Sequence, residues 1–366
     1  ELLEITDRIL ADLPRVARTG GKAAIYIGNG HAAWEAALAN TLAAGDLVLV
    51  LSTGRFAKGW GQMAETLGLR AEVMDFGTAA PVDADRLEAR LRADGGAEVK
   101  AVLTVHTDTA SSVRNDIAAI RSALDAAGHP ALLMVDCIAD LACERFEMDD
   151  WGVDVTVSGS QKGLMTPPGL SFTFHGARAA EARARLPRVS SYWDWVPRTE
   201  PEIFYQKFCG TAPTHHLYGL SEALTMILEE EGIEAVWARH RVMANAVWAA
   251  LEGWGAAGPL RCNVEDRAHR SVAVTSVRTG EADAEALRGW CDREAGLTLG
   301  VGLGLDGPAA GSRTEGLFRI GHMGHLNPPM LLGTLATIEA GLKALGIPHG
   351  DGALSAATTV IAKAGS

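Results

Sequence analysis

Short apolar runs alternate with helix-like segments along the first two hundred residues, and this alternation does most to constrain the fold. Runs such as DLVLVLS (46–52), VKAVLTV (99–105) and ALLMVD (131–136) are nearly continuous in apolar residues, and Ala-rich amphipathic segments separate them. Strands buried on both faces have this composition, and parallel strands need crossover helices between them. The pattern predicts an open α/β domain with a mostly parallel sheet between about residues 20 and 210.

The C-terminal third of the chain has a different pattern. A long helix-like stretch (215–255) is followed by strand, helix, strand and helix patterns, which predict a smaller α+β domain. We therefore expect an N-terminal helix over 1–20, a large domain over 21–234, a small domain over 235–350, and a tail over 351–366 that is either a short helix or irregular. Because the chain opens inside a helix pattern without a Met, we also expect native sequence to precede Glu1.

The composition limits the class of protein. The 366 residues are 48% hydrophobic and 21% charged, which suits a globular protein with a large core. A net charge of −12 argues against nucleic acid or an anionic membrane as the main partner. No apolar run approaches the ~18 residues of a membrane span. The five dispersed cysteines are typical of reduced thiols, so we expect a cytoplasmic protein.

A glycine-containing turn, GNGHAAWE (28–35), follows one apolar strand and opens a helix. The N–H groups at a helix N-terminus bind phosphate well. The spacing from Gly28 to Gly30 also fits a dinucleotide motif, but the next strand lacks the acidic residue that would hold a ribose. A phosphate site and a simple packing turn both remain open here, and a nucleotide-dependent oxidoreductase is the weaker alternative.

Two charged residues lie alone at the ends of other apolar strands. Asp136 ends LLMVD, and Lys162 follows DVTVS within SGSQKG. Taken singly, the Asp can be a helix cap and the Lys an exposed turn residue. Taken with the glycine turn, they supply a phosphate anchor, a counter-ion for a ring nitrogen and an amine for an aldehyde at one edge of a sheet. Pyridoxal 5′-phosphate needs all three. We interpret Lys162 as its covalent anchor.

Several stretches resemble the class V aminotransferases, specifically the alanine–glyoxylate and serine–glyoxylate aminotransferase group. They are VDCIADL (135–141), VDVTVSGSQKGLMTPPGLSF (153–172), GNGHAAWEAALANTL (28–42) and FRIGHMGHLNPPMLLGTL (318–335). The resemblance implies a fold-type-I transferase that uses pyridoxal phosphate and works as a homodimer. It also implies amino transfer from a small amino acid, with serine or alanine favoured, to glyoxylate or another small 2-oxo acid.

The resemblance assigns roles to individual positions. It makes Lys162 the lysine that bonds the cofactor aldehyde and Asp136 the partner of the ring nitrogen. It implies that Arg319, in FRIGHMG, clamps the substrate α-carboxylate with its planar fork, although read alone it could be a surface strand residue. The remaining implied cofactor contacts are Asn29, Gly30, His31 and Gln161 at the phosphate, Phe56 and Ile138 on the two ring faces, Thr109 near the 3′ hydroxyl, and Thr211 from the neighbouring subunit.

Rival functions and sites receive less support from the sequence. A lyase or desulfurase of the same fold would need a mobile catalytic cysteine, and none lies in an obvious flexible loop. His215 and His216 have no further ligand at a suitable spacing, so we expect no metal site. We expect His240 on a helix surface. His322 and His325 flank Arg319, and the sequence leaves open whether they line the substrate entrance.

Overall fold

The computed structural model describes residues 1–95, 97–280, 282–305 and 316–364. Within these ranges the chain forms a large mixed sheet covered by helices and a smaller antiparallel sheet in its C-terminal part. None of the helices in the described ranges combines the length and the apolar character needed to cross a lipid bilayer.

The large sheet holds seven strands within the described residues. They are β1 (Lys22–Ile27), β2 (Leu47–Ser52), β3 (Arg70–Asp75), β4 (Val99–Val105), β5 (Leu132–Asp136), β6 (Val155–Gly159) and β7 (Leu170–His175). Their order is β1-β7-β6-β5-β4-β2-β3, and β7 runs antiparallel to both its neighbours while the other pairs are parallel. The first strand pairs with the last, from Lys22 opposite His175 to Ile27 opposite Leu170. This mostly parallel sheet confirms the predicted α/β fold class.

Helices cover both faces of this sheet. Their bounds are α1 (Leu2–Ala17), α2 (Gly30–Thr41), α3 (Arg55–Thr66), α4 (Ala84–Arg92), α5 (Ile117–Ala126), α6 (Ala177–Arg185), α7 (Val196–Thr199) and α8 (Thr214–Thr225), with a 3₁₀ turn at Phe204–Phe208 and a π turn at Met226–Glu231. One apolar core lies under α2, α3 and α6 and contains Trp34 and Trp60. The other lies under α1, α4, α5 and α8 and contains Leu13 and Leu217. Burial on both faces explains the continuous apolar runs of the central strands.

The C-terminal part forms the smaller layer. Its elements are α9 (Ile233–Gly255), β8 (Arg261–Cys262), β9 (Val274–Arg278), α10 (Ala284–Ala295), β10 (Gly300–Val301), β11 (Leu317–Gly321), α11 (Pro328–Ala344) and α12 (Ala353–Ala364), with a 3₁₀ turn at Arg267–His269. The sheet is antiparallel in the order β10-β11-β9-β8. The segment that the sequence leaves undecided, 351–366, contains α12, which packs on the same core as α9.

The carboxyl ends of the parallel strands determine where the polar loops gather. The loops after β2, β4, β5 and β6 emerge at one edge of the large sheet, where open α/β sheets place their ligands. The small layer is joined to the loop after β4, because Ser112 Oγ donates to Ser276 Oγ at 2.8 Å and the Arg114 N–H donates to the His269 carbonyl at 2.8 Å. These contacts bring β11, and with it Arg319, beside the same edge.

Candidate active site

A cavity of about 270 Å³ opens at the carboxyl edge of the large sheet. The structure brings together in its lining nine of the residues singled out in the sequence: Asn29, Gly30, His31, Phe56, Thr109, Asp136, Ile138, Gln161 and Lys162. The lining also includes Trp34, Thr107 and Ala139, which the sequence reasoning missed. Residues separated by more than a hundred positions thus meet around one small space.

The N-terminus of α2 forms one wall. Asn29 is the N-cap residue, and its Oδ1 accepts the N–H of His31 at 3.1 Å, as cap residues do. A Cβ at position 30 would overlap with Cδ1 of Ile138, so only glycine lets the start of the helix come this close to the opposite wall. This arrangement places helix-terminal N–H groups at the cavity, where an anion such as phosphate is stabilised.

Asp136 lies at the floor of the cavity and is 4% exposed. Its Oδ1 accepts the N–H of Ile138 at 2.7 Å, and its Oδ2 accepts Nε1–H of Trp34 at 2.8 Å. Burial, together with the nearby Asp140 and Asp108, nevertheless raises the pKa of Asp136 to about 7 against the effect of these two hydrogen bonds. A buried carboxylate in this state is stabilised by a cation in the cavity, and a protonated ring nitrogen is such a cation.

Lys162 contributes its amine to the same cavity. Removal from water lowers the pKa of Lys162, and the positive charge of Arg319 lowers it further, while Asp136 acts in the opposite direction. A lysine with a lowered pKa has more of its amine in the neutral, nucleophilic form at a given pH. The site therefore provides an amine suited to bonding an aldehyde.

Gln161 adds an unsatisfied polar group next to the lysine. Its Oε1 is buried and has no hydrogen-bond partner among the described residues. A buried amide without a partner costs free energy, and rotating the amide by half a turn would present its NH₂ group instead. Together with the helix N-terminus, this amide gives the cavity donors for a phosphate group. The donor set, the acid and the amine fit pyridoxal phosphate.

Asp108 fixes two loops of the site from behind, although the sequence reasoning did not select it. The side chain is completely buried and accepts the N–H groups of Phe56 at 2.8 Å and Ala110 at 2.9 Å. A Cβ at Gly54 would overlap with the carboxyl group of Asp108, so the turn before α3 requires glycine there. Because the carboxylate ties the start of α3 to the loop after β4, it sets the positions of Phe56 and Thr109.

Arg319, on β11, is not one of the lining residues but lies beside the cavity, next to Thr109. Its Nε donates to the Val301 carbonyl at 2.8 Å and its Nη1 donates to the Thr109 carbonyl at 3.2 Å. Within the described ranges Nη2 has no hydrogen-bond partner. Burial lowers the pKa of Arg319, and the carboxyl group of Asp108 opposes this effect. Two main-chain carbonyls thus orient a guanidinium beside the cavity and leave donors for a carboxylate.

The remaining predicted residues lie outside the cavity. Thr211 is exposed in the turn before α8, so its predicted contact with a neighbouring subunit's cofactor stays a prediction. The expectation that His240 lies on a helix surface is wrong: it is completely buried, and its Nε2 accepts the Gly324 N–H at 3.0 Å. His322 is also buried, against Thr275, and His325 is exposed. Packing of α9 on the loop after β11 buries His240, whereas His322 is buried against β9 and the Val272 carbonyl.

Comparison with known proteins decides the family. The family model described as aminotransferase class-V matches residues 21–313. The chain belongs to this family. It is therefore a pyridoxal-phosphate-dependent aminotransferase, as the donor set of the cavity also indicates.

Individual relatives resemble this aminotransferase over most of its length. It is 38% identical to L-aspartate–glyoxylate aminotransferase of Paracoccus denitrificans, over 88% of this chain and 79% of the relative. It is 37% identical to serine–glyoxylate aminotransferase of Methylorubrum extorquens, over 92% of this chain and 83% of the relative. The crystal structure of ureidoglycine–glyoxylate aminotransferase from Bacillus subtilis superimposes with a TM-score of 0.86 at 27% identity, covering 98% of this chain and 89% of that one.

Proposed function

We propose that this aminotransferase moves an amino group from a small amino acid, with serine or alanine favoured, to glyoxylate or another small 2-oxo acid. The presence of Lys162 and Asp136 in one cavity of about 270 Å³, with Arg319 bonded to the carbonyl of the lining residue Thr109, carries the proposal. The names of the relatives described above support glyoxylate as the acceptor. The same names include three different donors, aspartate, serine and ureidoglycine, so the donor is the less constrained half of the proposal.

Three side chains of the protein, those of Asp136, Lys162 and Arg319, have separate roles in the proposed reaction. When bound, pyridoxal phosphate supplies an electron sink for the bonds at the substrate Cα. Asp136 would hold a proton on the ring nitrogen. The Nζ of Lys162 would anchor the cofactor, and its free amine would take the proton from the substrate Cα as a general base. Arg319 grips the α-carboxylate, which fixes the orientation of the Cα–H bond.

The size of the cavity favours small substrates. Its volume of about 270 Å³ lies just below the roughly 300–1,000 Å³ of typical ligand pockets. Phe56, Trp34 and Ile138 add bulk to its walls. A cofactor together with a two- or three-carbon acid suits this space better than a long side chain does.

We also propose that the enzyme is a homodimer whose sites are completed across the interface by Thr211. Three large apolar side chains, Ile203, Tyr205 and Tyr218, are exposed on the segments that flank Thr211. Exposed apolar side chains grouped in this way are typical of an interface. Sedimentation equilibrium of the purified protein tests the proposal, and a monomer at micromolar concentration would refute it.

The rival assignment, a lyase or desulfurase of the same fold, meets an obstacle in the cysteines. None of the five lines the cavity within the described residues, and four of them are buried. Burial raises the pKa of Cys143 to about 12 and that of Cys262 to about 11, so their thiolates are disfavoured. A catalytic cysteine must reach the substrate as a thiolate. The cysteine positions therefore support the aminotransferase assignment.

A matrix of amino donors and oxo-acid acceptors tests the proposed substrates. Serine, alanine and aspartate are each paired with glyoxylate, pyruvate and oxaloacetate, and the product amino acid is quantified by chromatography. We expect glyoxylate to give the highest kcat/KM among the acceptors. The Lys162→Ala variant serves as the matched blank. Preference for a larger oxo acid over glyoxylate by tenfold or more would refute the proposed acceptor.

A further inference from the structure

A histidine and an aspartate form a buried pair directly behind the cofactor cavity. His106 follows β4 and Asp140 lies in the turn after β5, and Nδ1 of His106 is 2.8 Å from Oδ2 of Asp140. Both side chains are at most 1% exposed. Neither residue lines the cavity, so the pair contacts neither cofactor nor substrate. Neither residue has a role in the proposed reaction as described above.

The surroundings of the pair are apolar. The His106 ring lies 5.6 Å from the ring of Phe146 and 5.8 Å from that of Trp151, measured between centroids. Within the described ranges, no side-chain nitrogen or oxygen of His106 or Asp140 makes a hydrogen bond, so the 2.8 Å approach of the two side chains is the polar contact that each of them has. Charges in such a medium are weakly screened, so each group depends on the other.

The pair is coupled to Asp136 through space and through the main chain. The N–H of His106 donates to the main-chain carbonyl of Asp136 at 2.8 Å. The negative charge of Asp140 is one of the influences that raise the pKa of Asp136. The titratable groups that face Asp136 from the packed elements are Asp108, Cys137, Asp140 and Lys162. Of these, Asp140 is the acid with a histidine of its own to stabilise its charge.

We propose that Asp140, in contact with His106, is a positioning residue that places a second carboxylate behind Asp136 and so tightens the hold of Asp136 on the proton of the cofactor ring nitrogen. The inference rests on the pyridoxal phosphate chemistry of the site and is independent of which donor and acceptor are used.

The expected size of the effect follows from Coulomb's law. At a separation on the order of 10 Å and an effective dielectric constant of about 20, one unit charge changes the pKa of another group by about one unit. Loss of the Asp140 charge should therefore lower the pKa of the bound ring nitrogen by about one unit. It should also weaken cofactor binding about tenfold at a pH below the lowered pKa, where the bound ring nitrogen is protonated, and should leave binding nearly unchanged well above the wild-type pKa.

Ring-nitrogen protonation can be measured without turnover. Each protein is loaded with pyridoxal phosphate carrying ¹⁵N in the ring, and the ¹⁵N chemical shift is followed against pH. Asp140→Asn removes the charge and nearly preserves the volume. His106→Phe leaves Asp140 without its histidine in apolar surroundings, where burial favours the protonated form of a carboxyl group. The same decrease in the ring-nitrogen pKa is therefore expected for this variant, so the test does not depend on the folding of a single variant.

The chain contains a matched control pair. His129 and Asp94 form a second buried contact, at 3.0 Å, with side chains 4% and 8% exposed. Asp94 precedes β4 and accepts the N–H of Val99 at the amino end of that strand, the opposite edge of the sheet from the cavity. Asp94→Asn therefore removes an equivalent charge without approaching the cofactor.

Lower ring-nitrogen pKa values in Asp140→Asn and His106→Phe, with an unchanged value in Asp94→Asn, would support the proposal. Wild-type values in the two site variants would overturn it, and so would an equal change in Asp94→Asn, because that change would be a general effect of destabilisation. The substrate matrix is read separately: failure of the enzyme to use glyoxylate would refute the proposed acceptor and leave this titration interpretable.

Discussion

Replacing Asp136 with asparagine should change how the stability of the cofactor-free protein depends on pH. Burial raises the pKa of Asp136 to about 7 from an ordinary value of 3.8. The folded state therefore binds a proton that the unfolded state has released between about pH 4 and pH 7, so the free energy of unfolding falls as the pH rises through this window. At 1.36 kcal/mol for each pKa unit, the whole window is worth roughly 4 kcal/mol. Asparagine does not titrate and removes this contribution.

Urea denaturation of the cofactor-free proteins at pH 5 and pH 8 provides the measurement. Two pKa units of the window lie above pH 5, so the wild type should lose roughly 3 kcal/mol relative to Asp136→Asn between these pH values. Asp154, whose pKa burial also raises, contributes to both proteins and cancels in the comparison. Adding cofactor to the wild type should abolish the difference. If the free energy of unfolding depended on pH in the same way in the two cofactor-free proteins, the assignment of a raised pKa to Asp136 would be refuted.

Three further substitutions test the site. Lys162→Ala should fold normally and lose roughly 10³-fold or more in kcat. Borohydride reduction followed by mass spectrometry should find cofactor covalently attached to the wild type alone. Attachment to the variant would contradict the assignment of Lys162 as the covalent anchor. Arg319→Lys should lose roughly 10- to 100-fold in kcat/KM for amino acids, because the bidentate hydrogen bonding to the α-carboxylate is lost. The kcat/KM for an amine without a carboxylate should be unaffected. Equal losses for amino acids and amines would show that Arg319 has a role other than carboxylate binding. Trp34→Phe removes a hydrogen bond to the Asp136 carboxylate, and such a bond to a charged group is worth about 1.5–3 kcal/mol. The pKa of Asp136, measured in the denaturation assay, should therefore rise by about one to two units. An unchanged pKa would show that the Trp34 hydrogen bond does not stabilise the carboxylate.

Much of the fold could be predicted because parallel strands leave a strong local signal. Burial on both faces makes each central strand an apolar run, and crossover helices space the runs apart, so β2, β4 and β5 are visible without any tertiary information. The segment 351–366 could not be assigned in the same way. Its helix, α12, shares an apolar core with α9, about a hundred residues earlier in the chain, and that contact is not visible in the local pattern.

The candidate site was predictable where it depends on strand ends and not where it depends on tertiary packing. Asp136 and Lys162 are single charged residues after apolar strands, and topology alone places such residues at one edge. Trp34 has the spacing of an ordinary core residue of α2, and its partner Asp136 lies 102 positions away. His240 could not be placed from the sequence either. A polar residue in a helix pattern is predicted to be exposed to solvent, but His240 is buried because the Gly324 N–H gives its ring a hydrogen-bond partner.

The pairing of β1 with β7 has a consequence for synthesis of the protein. Ile27 lies opposite Leu170, so the first strand emerges from the ribosome long before its partner exists. At about 5–20 residues per second, the wait is on the order of 10–30 seconds. During this time the β1 edge and the apolar face of α1 are open to chaperones and to other nascent chains. The glycine turn that follows β1 can reach its final position only when β7 arrives, so a ribosome-bound fragment that ends before residue 170 should be unable to retain the cofactor.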